Sequence, residues 1–396
     1  MKNFVSDRRF NLASFLASCL IGLTILLTGC DLPQVSAEER TFLDLSLEFL
    51  NAYELPKQTF QDTPVGGLSA LTYDRKRNLL YAVSDDLSEF APARFYTLNL
   101  SLDTANSTAP TIKQVEVNGV TFITDELGKP YAKGEVDPEG IALSPLGTLF
   151  ISSEGIASKG IAPFVREFDL KTGQWKRSLS IPDRYFPKTE NGQQTQGVGE
   201  NLGFESLTLN LNGGSTGNIE PFRLFTATES ALVQDASPEH PQQGASRNRV
   251  LHYSLDPTHA LRLSEHLYEM ELPPDGARFH GLTEMLAIDQ GGHFLGIERS
   301  FGSNGFAVKL FQLALGSASD TSTIESFQGS VSGVQPIRKK LLLDLNQLGV
   351  PLDNLEGITL GPRLPDGSQS LLLVSDNNFS DQQKTLFFLF RIKGIL

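Results

Sequence analysis

Four phrases in this chain place one carboxylate at the start of an apolar strand and a second at the end of the next. Asp137-Pro-Glu139-Gly-Ile-Ala-Leu is followed by Leu-Phe-Ile-Ser-Ser-Glu154, and Gly-Phe-Glu205-Ser-Leu-Thr-Leu by Leu-Phe-Thr-Ala-Thr-Glu229. Gly-Leu-Thr-Glu284-Met-Leu-Ala-Ile is followed by Phe-Leu-Gly-Ile-Glu298, and Asn-Leu-Glu356-Gly-Ile-Thr-Leu by Leu-Leu-Leu-Val-Ser-Asp376. A weaker copy opens the series, with Ser69 in place of the first acid and Asp85 as the second. Carboxylates crowded together must take up protons, pair with bases or bind cations. A ligand set made only of oxygens suits calcium, and magnesium second, far better than zinc. The expected metal ligands are therefore Asp85, Glu139, Glu154, Glu205, Glu229, Glu284, Glu298, Glu356 and Asp376. The competing reading is that these acids accept backbone N–H groups and tie neighbouring units together.

Positioning such a ring is a matter of repeats. Each of the first four copies supplies four strands bounded by Gly, Pro and Asp, and no long amphipathic helix lies between them. That is the pattern of one β-propeller blade. The first two strands of a blade are antiparallel, so both acids fall at the same end, and the first strands line the central channel. The fifth copy has only three clear strands, whereas residues 41–55 supply one extra strand before the first copy. The expectation is an all-β propeller of five blades, each of four antiparallel strands, closed by the N-terminal strand; six blades is the alternative. Trp175 and the many Phe residues read as packing between blades. Arg94, Arg166 and Lys309, at matching places in third strands, read as a solvated strand face.

The ends carry an address. Lys2, Arg8 and Arg9 precede an apolar run from Phe15 to Leu27, which ends in Leu27-Thr28-Gly29-Cys30. A basic segment before a short apolar run is an export signal. Its ending resembles the lipobox of bacterial lipoproteins, which implies cleavage before Cys30 and lipid on its thiol. The organisation expected is a signal over 1–29, a lipidated tether over 30–40 and one domain over 41–396, exported and held to the bacterial cell membrane by lipid alone. Cys19 leaves with the signal, so no disulfide is available to the mature chain.

Of 33 basic and 46 acidic residues, the signal removes Lys2, Arg8, Arg9 and Asp7 and leaves a balance of −15. Such a charge excludes nucleic acid as a partner and makes phosphate an awkward ligand unless cations intervene. A small-molecule substrate and a monomer are expected. His-Glu-x-x-His and Gly-x-x-x-x-Gly-Lys are both missing, which leaves zincin and nucleotide readings without support. His280, ahead of Gly281-Leu-Thr-Glu284, reads as an acid/base or phosphate contact.

Gly67-Leu-Ser-Ala-Leu-Thr-Tyr-Asp, Asp137-Pro-Glu-Gly-Ile-Ala, Phe164-Val-Arg-Glu-Phe-Asp-Leu and Leu355-Glu-Gly-Ile-Thr-Leu together resemble the bacterial phytase-like domain family, also described by an esterase-like activity of phytase. The resemblance implies an exported propeller and, by its name, phosphate-ester hydrolysis. The calcium-dependent alkaline phytases, also propellers, are similar in kind. Under that reading Glu139, Glu205, Glu284 and Glu356 are ligands or a base, with Arg299 and His280 on phosphate. The alternatives are a non-enzymatic binding or scaffolding propeller with structural cations, and a carboxyl-ester or lactone hydrolase.

Overall fold

A computed structural model describes residues 41–210, 221–236 and 246–395. The proposed signal, Cys30 and the tether lie outside the described residues. The compact unit runs from Phe42 to Leu396.

Apolar side chains in strand alternation must be buried on both faces wherever sheets stack side by side. Five four-stranded antiparallel sheets meet that demand. Blade 1 comprises Leu68–Asp74, Leu79–Ser84, Arg94–Asp103 and Thr111–Phe122; blade 2 comprises Pro138–Leu143, Thr148–Ser153, Phe164–Asp169 and Trp175–Ser178. Blade 3 comprises Phe204–Asn210, Phe222–Thr228, Arg247–Leu255 and Ala260–Glu269; blade 4 comprises Ala277–Ala287, His293–Gly302, Gly305–Ala314 and Arg338–Asp344. Blade 5 takes Asn354–Arg363, Gln369–Asp376 and Thr385–Lys393 from the C-terminal end and Ser46–Leu55 from the N-terminal end. That last pairing, with Ser46 opposite Lys393 and Leu55 opposite Thr385, closes the ring. It also covers an edge that would otherwise template aggregation.

The core is divided as the ring requires. Five apolar clusters each join two adjacent blades: 1 with 2, 2 with 3, 3 with 4, 4 with 5, and 5 with 1. The first strands of the blades touch one another in the same closed cycle. The architecture is a five-bladed β-propeller, and the six-blade alternative falls. Arg94 departs from expectation. It is fully buried, ion-paired to Asp86, and its Nε donates to Tyr96 Oη at 2.6 Å. Arg94, Tyr96 and Leu98 alternate onto one inward face, and the charge is tolerated there because it is paired and hydrogen-bonded.

Candidate functional site

The same irregularity recurs at the channel end of each first strand. In blade 1 the pairs Leu68–Ser84 and Ala70–Val83 leave Ser69 unopposed. In blade 3 Phe204–Thr228 and Ser206–Ala227 leave out Glu205, and in blade 5 Leu355–Ser375 and Gly357–Val374 leave out Glu356. Blade 2 shifts between Pro138–Ser153 and Ile141–Ile151, around Glu139. A bulge of this kind re-aims one side chain, here into the axial mouth. The residue after each opposing partner supplies the second position: Asp85, Glu154, Glu229 and Asp376.

Blade 4 corrects the sequence reading. Its pairs are Leu282–Glu298 and Glu284–Ile297, so the bulged residue is Thr283 and the second position is Arg299. Glu284 and Glu298 are each one residue out of phase, and a slip of one residue turns a strand side chain to the other face. Nine acids were expected to converge; seven of them do, with Arg299, Ser69 and Thr283 filling the other places. Glu284 is buried elsewhere, its Oε1 accepting from Leu207 N at 2.9 Å and Met285 N at 3.0 Å. Glu298 is consumed by Tyr268 Oη at 2.7 Å, Lys339 Nζ at 2.6 Å and Glu271 N at 3.0 Å.

Three groups of carboxylates have ligand atoms within 4.8 Å of one another: Asp85, Glu356 and Asp376; Asp137, Glu139 and Glu154; Glu154, Glu205 and Glu229. Glu154 belongs to two of them. Its Oε1 accepts from Gly203 N at 2.7 Å, while its buried Oε2 has no partner. Asp137 was missed from sequence, although it sits two residues before Glu139 and therefore on the same side of the strand. Two bare charges at such a separation repel by roughly 3 kcal/mol at an effective dielectric near 20. One arginine answers them. Arg299 Nη2 lies 2.9 Å from Glu229 and 3.6 Å from Glu356, Nη1 donates to Asn354 Oδ1, and the buried Nε is unpartnered.

Burial, followed by neighbouring acids, pushes Asp85, Glu139, Glu154 and Glu205 well above the usual carboxylate range. Glu356 is also pushed up by burial, against the pull of Arg299. Burial raises Asp137 to about 7 and Asp376 to about 6. Glu229 is raised by burial and moderated by Arg299. An array that holds its negative charge this poorly, with an orphaned oxygen on the one glutamate common to two groups, fits hard cations bound through oxygen.

Asp85, Asp137, Glu139, Glu205, Glu229 and Glu356 line a cavity of about 1450 Å³ whose lining also includes Arg278, Phe279, His280 and Phe379. His280 is at its edge, but both ring nitrogens are engaged: Nδ1 with Ser300 Oγ at 2.7 Å and Nε2 with Glu271 O at 3.1 Å. Burial lowers its pKa, so it is neutral near pH 7. Arg278 is exposed and, among the described residues, has no hydrogen bond or ion pair. No sequence pattern marks it.

The model of the phytase-like family, described by its esterase-like activity of phytase, matches residues 63–379. The chain belongs to the phytase-like family. The match begins just before the first blade and ends in the loop after Asp376, so it takes in all eight convergent acids of this phytase-like chain. No curated protein matches it significantly. Similar solved structures include an endo-arabinase from Bacteroides thetaiotaomicron, 10% identical, covering 82% of this chain and 93% of that one with a TM-score of 0.42. An aldose sugar dehydrogenase from Streptomyces coelicolor in its PQQ-bound form is 11% identical, over 89% and 99%, with a TM-score of 0.34. A Dos1 propeller is 10% identical, over 83% and 68%, with a TM-score of 0.31. Nothing about the chemistry of the phytase-like site follows from these likenesses.

Proposed function

We propose that this phytase-like propeller is a divalent-cation-dependent hydrolase of phosphate esters, with calcium as the cation. The observation that carries the reading is Glu154, the one glutamate common to two carboxylate groups, whose buried Oε2 has no partner, next to acids that line an open cavity. Calcium takes six to eight oxygens in irregular geometry, and the three groups offer oxygen alone. Bound cations would polarise the ester and lower the pKa of a bound water.

The chain's own side chains do the rest. Asp137, Glu139, Glu154, Glu205 and Glu229 would hold cations on one side, and Asp85, Glu356 and Asp376 on the other. Arg299 fixes Glu229 and Glu356 and offsets part of their charge. Arg278 offers a free guanidinium to the substrate anion, the role assigned from sequence to His280. Export and a lipid on Cys30 complete the proposal and put the substrate outside the cytoplasm.

The test is a phosphomonoester assay run beside a calcium titration of thermal stability. Turnover that rises with calcium and is lost in Glu154→Gln supports the reading. Stabilisation without turnover on any phosphate ester would sink the enzyme and leave a binding propeller.

A further inference from the structure

Above the acids the cavity changes character. Its rim carries Phe90, Phe279, Phe301, Phe306 and Phe379. Phe90 and Phe279 are each 61% exposed, which is unfavourable for large apolar side chains unless something covers them. The five fall into two walls.

The first wall is a cross-strand ladder. Blade 4's second strand does not stop at the mouth but runs on to Gly302, pairing Phe279 with Phe301 and Phe301 with Phe306. The rings of Phe301 and Phe306 are 4.6 Å apart. The second wall comes from loops of blades 1 and 5, where Phe90 and Phe379 lie 4.6 Å apart. Phe379 is left-handed at φ 50°, after Asn378 at 46°, and in the equivalent blade 1 loop Leu87 and Ser88 stand at 48° and 57°. Bulky residues adopt that backbone only when the surroundings impose it, and such strain gathers at ligand sites. Gly67 makes it feasible here: a Cβ on it would stand 2.7 Å from the Phe379 ring and 2.2 Å from an Asp85 oxygen. Gly67 therefore joins the aromatic wall at Phe379 to the carboxylates at Asp85.

Positive charge on the lining is scarce. Arg247 bonds Phe327 O and Gly329 O, Arg299 is held by Glu229, and Arg278 alone is uncommitted among the described residues. A polyanion such as a highly phosphorylated polyol would meet phenylalanine where it needs cations. We infer that the substrate is amphiphilic: one phosphate ester, seated over the acids, carrying an apolar group that lies between the phenylalanine walls. This rests on the proposed hydrolase reading and names its substrate class.

The probes are phenylphosphonate, octylphosphonate, methylphosphonate and inositol hexakisphosphate, which separate an aryl from an alkyl group and both from a polyol. Each is titrated calorimetrically into the intact calcium-loaded protein. Covering an apolar group of this size predicts about tenfold or more tighter binding of phenyl- or octylphosphonate than of methylphosphonate. The pair Phe90→Ala and Phe279→Ala is expected to erase that ratio while changing methylphosphonate affinity less than twofold. Both rings are exposed, so thermal unfolding verifies that the variant folds. Equal affinity for methyl- and octylphosphonate, or tightest binding of the polyol, overturns this inference and leaves the hydrolase reading standing. Failure of all four probes to bind overturns both.

Discussion

Arg299 Nη2 and Glu229 Oε1 meet at 2.9 Å across the boundary of blades 3 and 4, one guanidinium set among eight convergent carboxylates. Removing one partner of a buried ion pair costs roughly 3–5 kcal/mol, because the other charge is stranded. Arg299→Gln should therefore lower the unfolding temperature markedly in a chelator. Calcium should restore more of it than in the parent, since the cation replaces the lost positive charge. An equal calcium-induced shift in both proteins would show that Arg299 and the cation do not share these acids.

Glu154 and Glu284 give a matched pair. Both are buried glutamates near the channel, but only Glu154 belongs to the carboxylate groups. Glu154→Gln should raise stability in chelator, by removing repulsion, and reduce the calcium-induced shift at least by half. Glu284→Gln should leave that shift intact. Differential scanning fluorimetry across a calcium series checks both, and identical behaviour would remove the distinction drawn from the blade 4 register.

Without cations the acids make stability depend on pH in an uncommon direction. Asp376 and Asp137, raised to about 6 and about 7, bind protons more tightly folded than unfolded. Where the native state holds more protons, stability falls as pH rises. The chelated protein should lose stability from about pH 4 up to about pH 7, at about 1.4 kcal/mol per pH unit for each such group. Saturating calcium should flatten the slope. Urea unfolding at several pH values measures it, and a chelated protein most stable above pH 7 would contradict the crowding of these carboxyls.

The five repeats and the closing role of residues 41–55 could be read from the chain because strand alternation and turn residues are local signals. The misreading of blade 4 has the opposite cause. Gly-Leu-Thr-Glu284 and Asn-Leu-Glu356-Gly look alike when acids are matched by type, but the bulge that decides which residue enters the mouth is a property of pairing. With Thr283 in the bulge, Arg299 rather than Glu298 becomes the fifth member of the ring formed by Asp85, Glu154, Glu229 and Asp376. Arg94 was legible in principle, since Tyr96 and Leu98 on the same face are apolar. Phe90 and Phe379 were not, because they come from loops without periodicity.

A second ionic centre borders the cavity on its blade 3 side, where Asp235 is part of the lining. Arg249, fully buried, holds Asp235 with Nε at 2.6 Å and Nη2 at 2.9 Å, and its Nη1 binds Glu265 and, at 3.0 Å, Ile324 O. Its guanidinium carbon stands 3.9 Å from the Phe327 ring centroid. A lysine cannot reproduce this planar fork. Arg249→Lys should cost roughly 3 kcal/mol and loosen the loop around 321–327. Denaturant unfolding gives the first, and faster Glu-C cleavage after Glu325 the second. Unchanged cleavage with lowered stability would confine the effect to the core.

Ring closure makes the last case. Strand Thr385–Lys393 carries fully buried Phe387, Phe388, Leu389 and Phe390, and Ser46–Leu55 occupies its outer edge. Deleting residues 46–55 leaves a nine-residue apolar strand with unpaired N–H and C=O groups, a template for another copy. It also strips Leu50 and Tyr53 from the cluster joining blades 1 and 5. The truncated domain should aggregate during refolding, whereas a peptide of residues 46–55 added in trans should recover soluble monomer, because the missing strand pairs without needing covalent attachment. Size-exclusion chromatography after refolding distinguishes the two. A soluble, cooperatively unfolding truncated monomer would mean that the five inter-blade cores hold the ring closed without this strand.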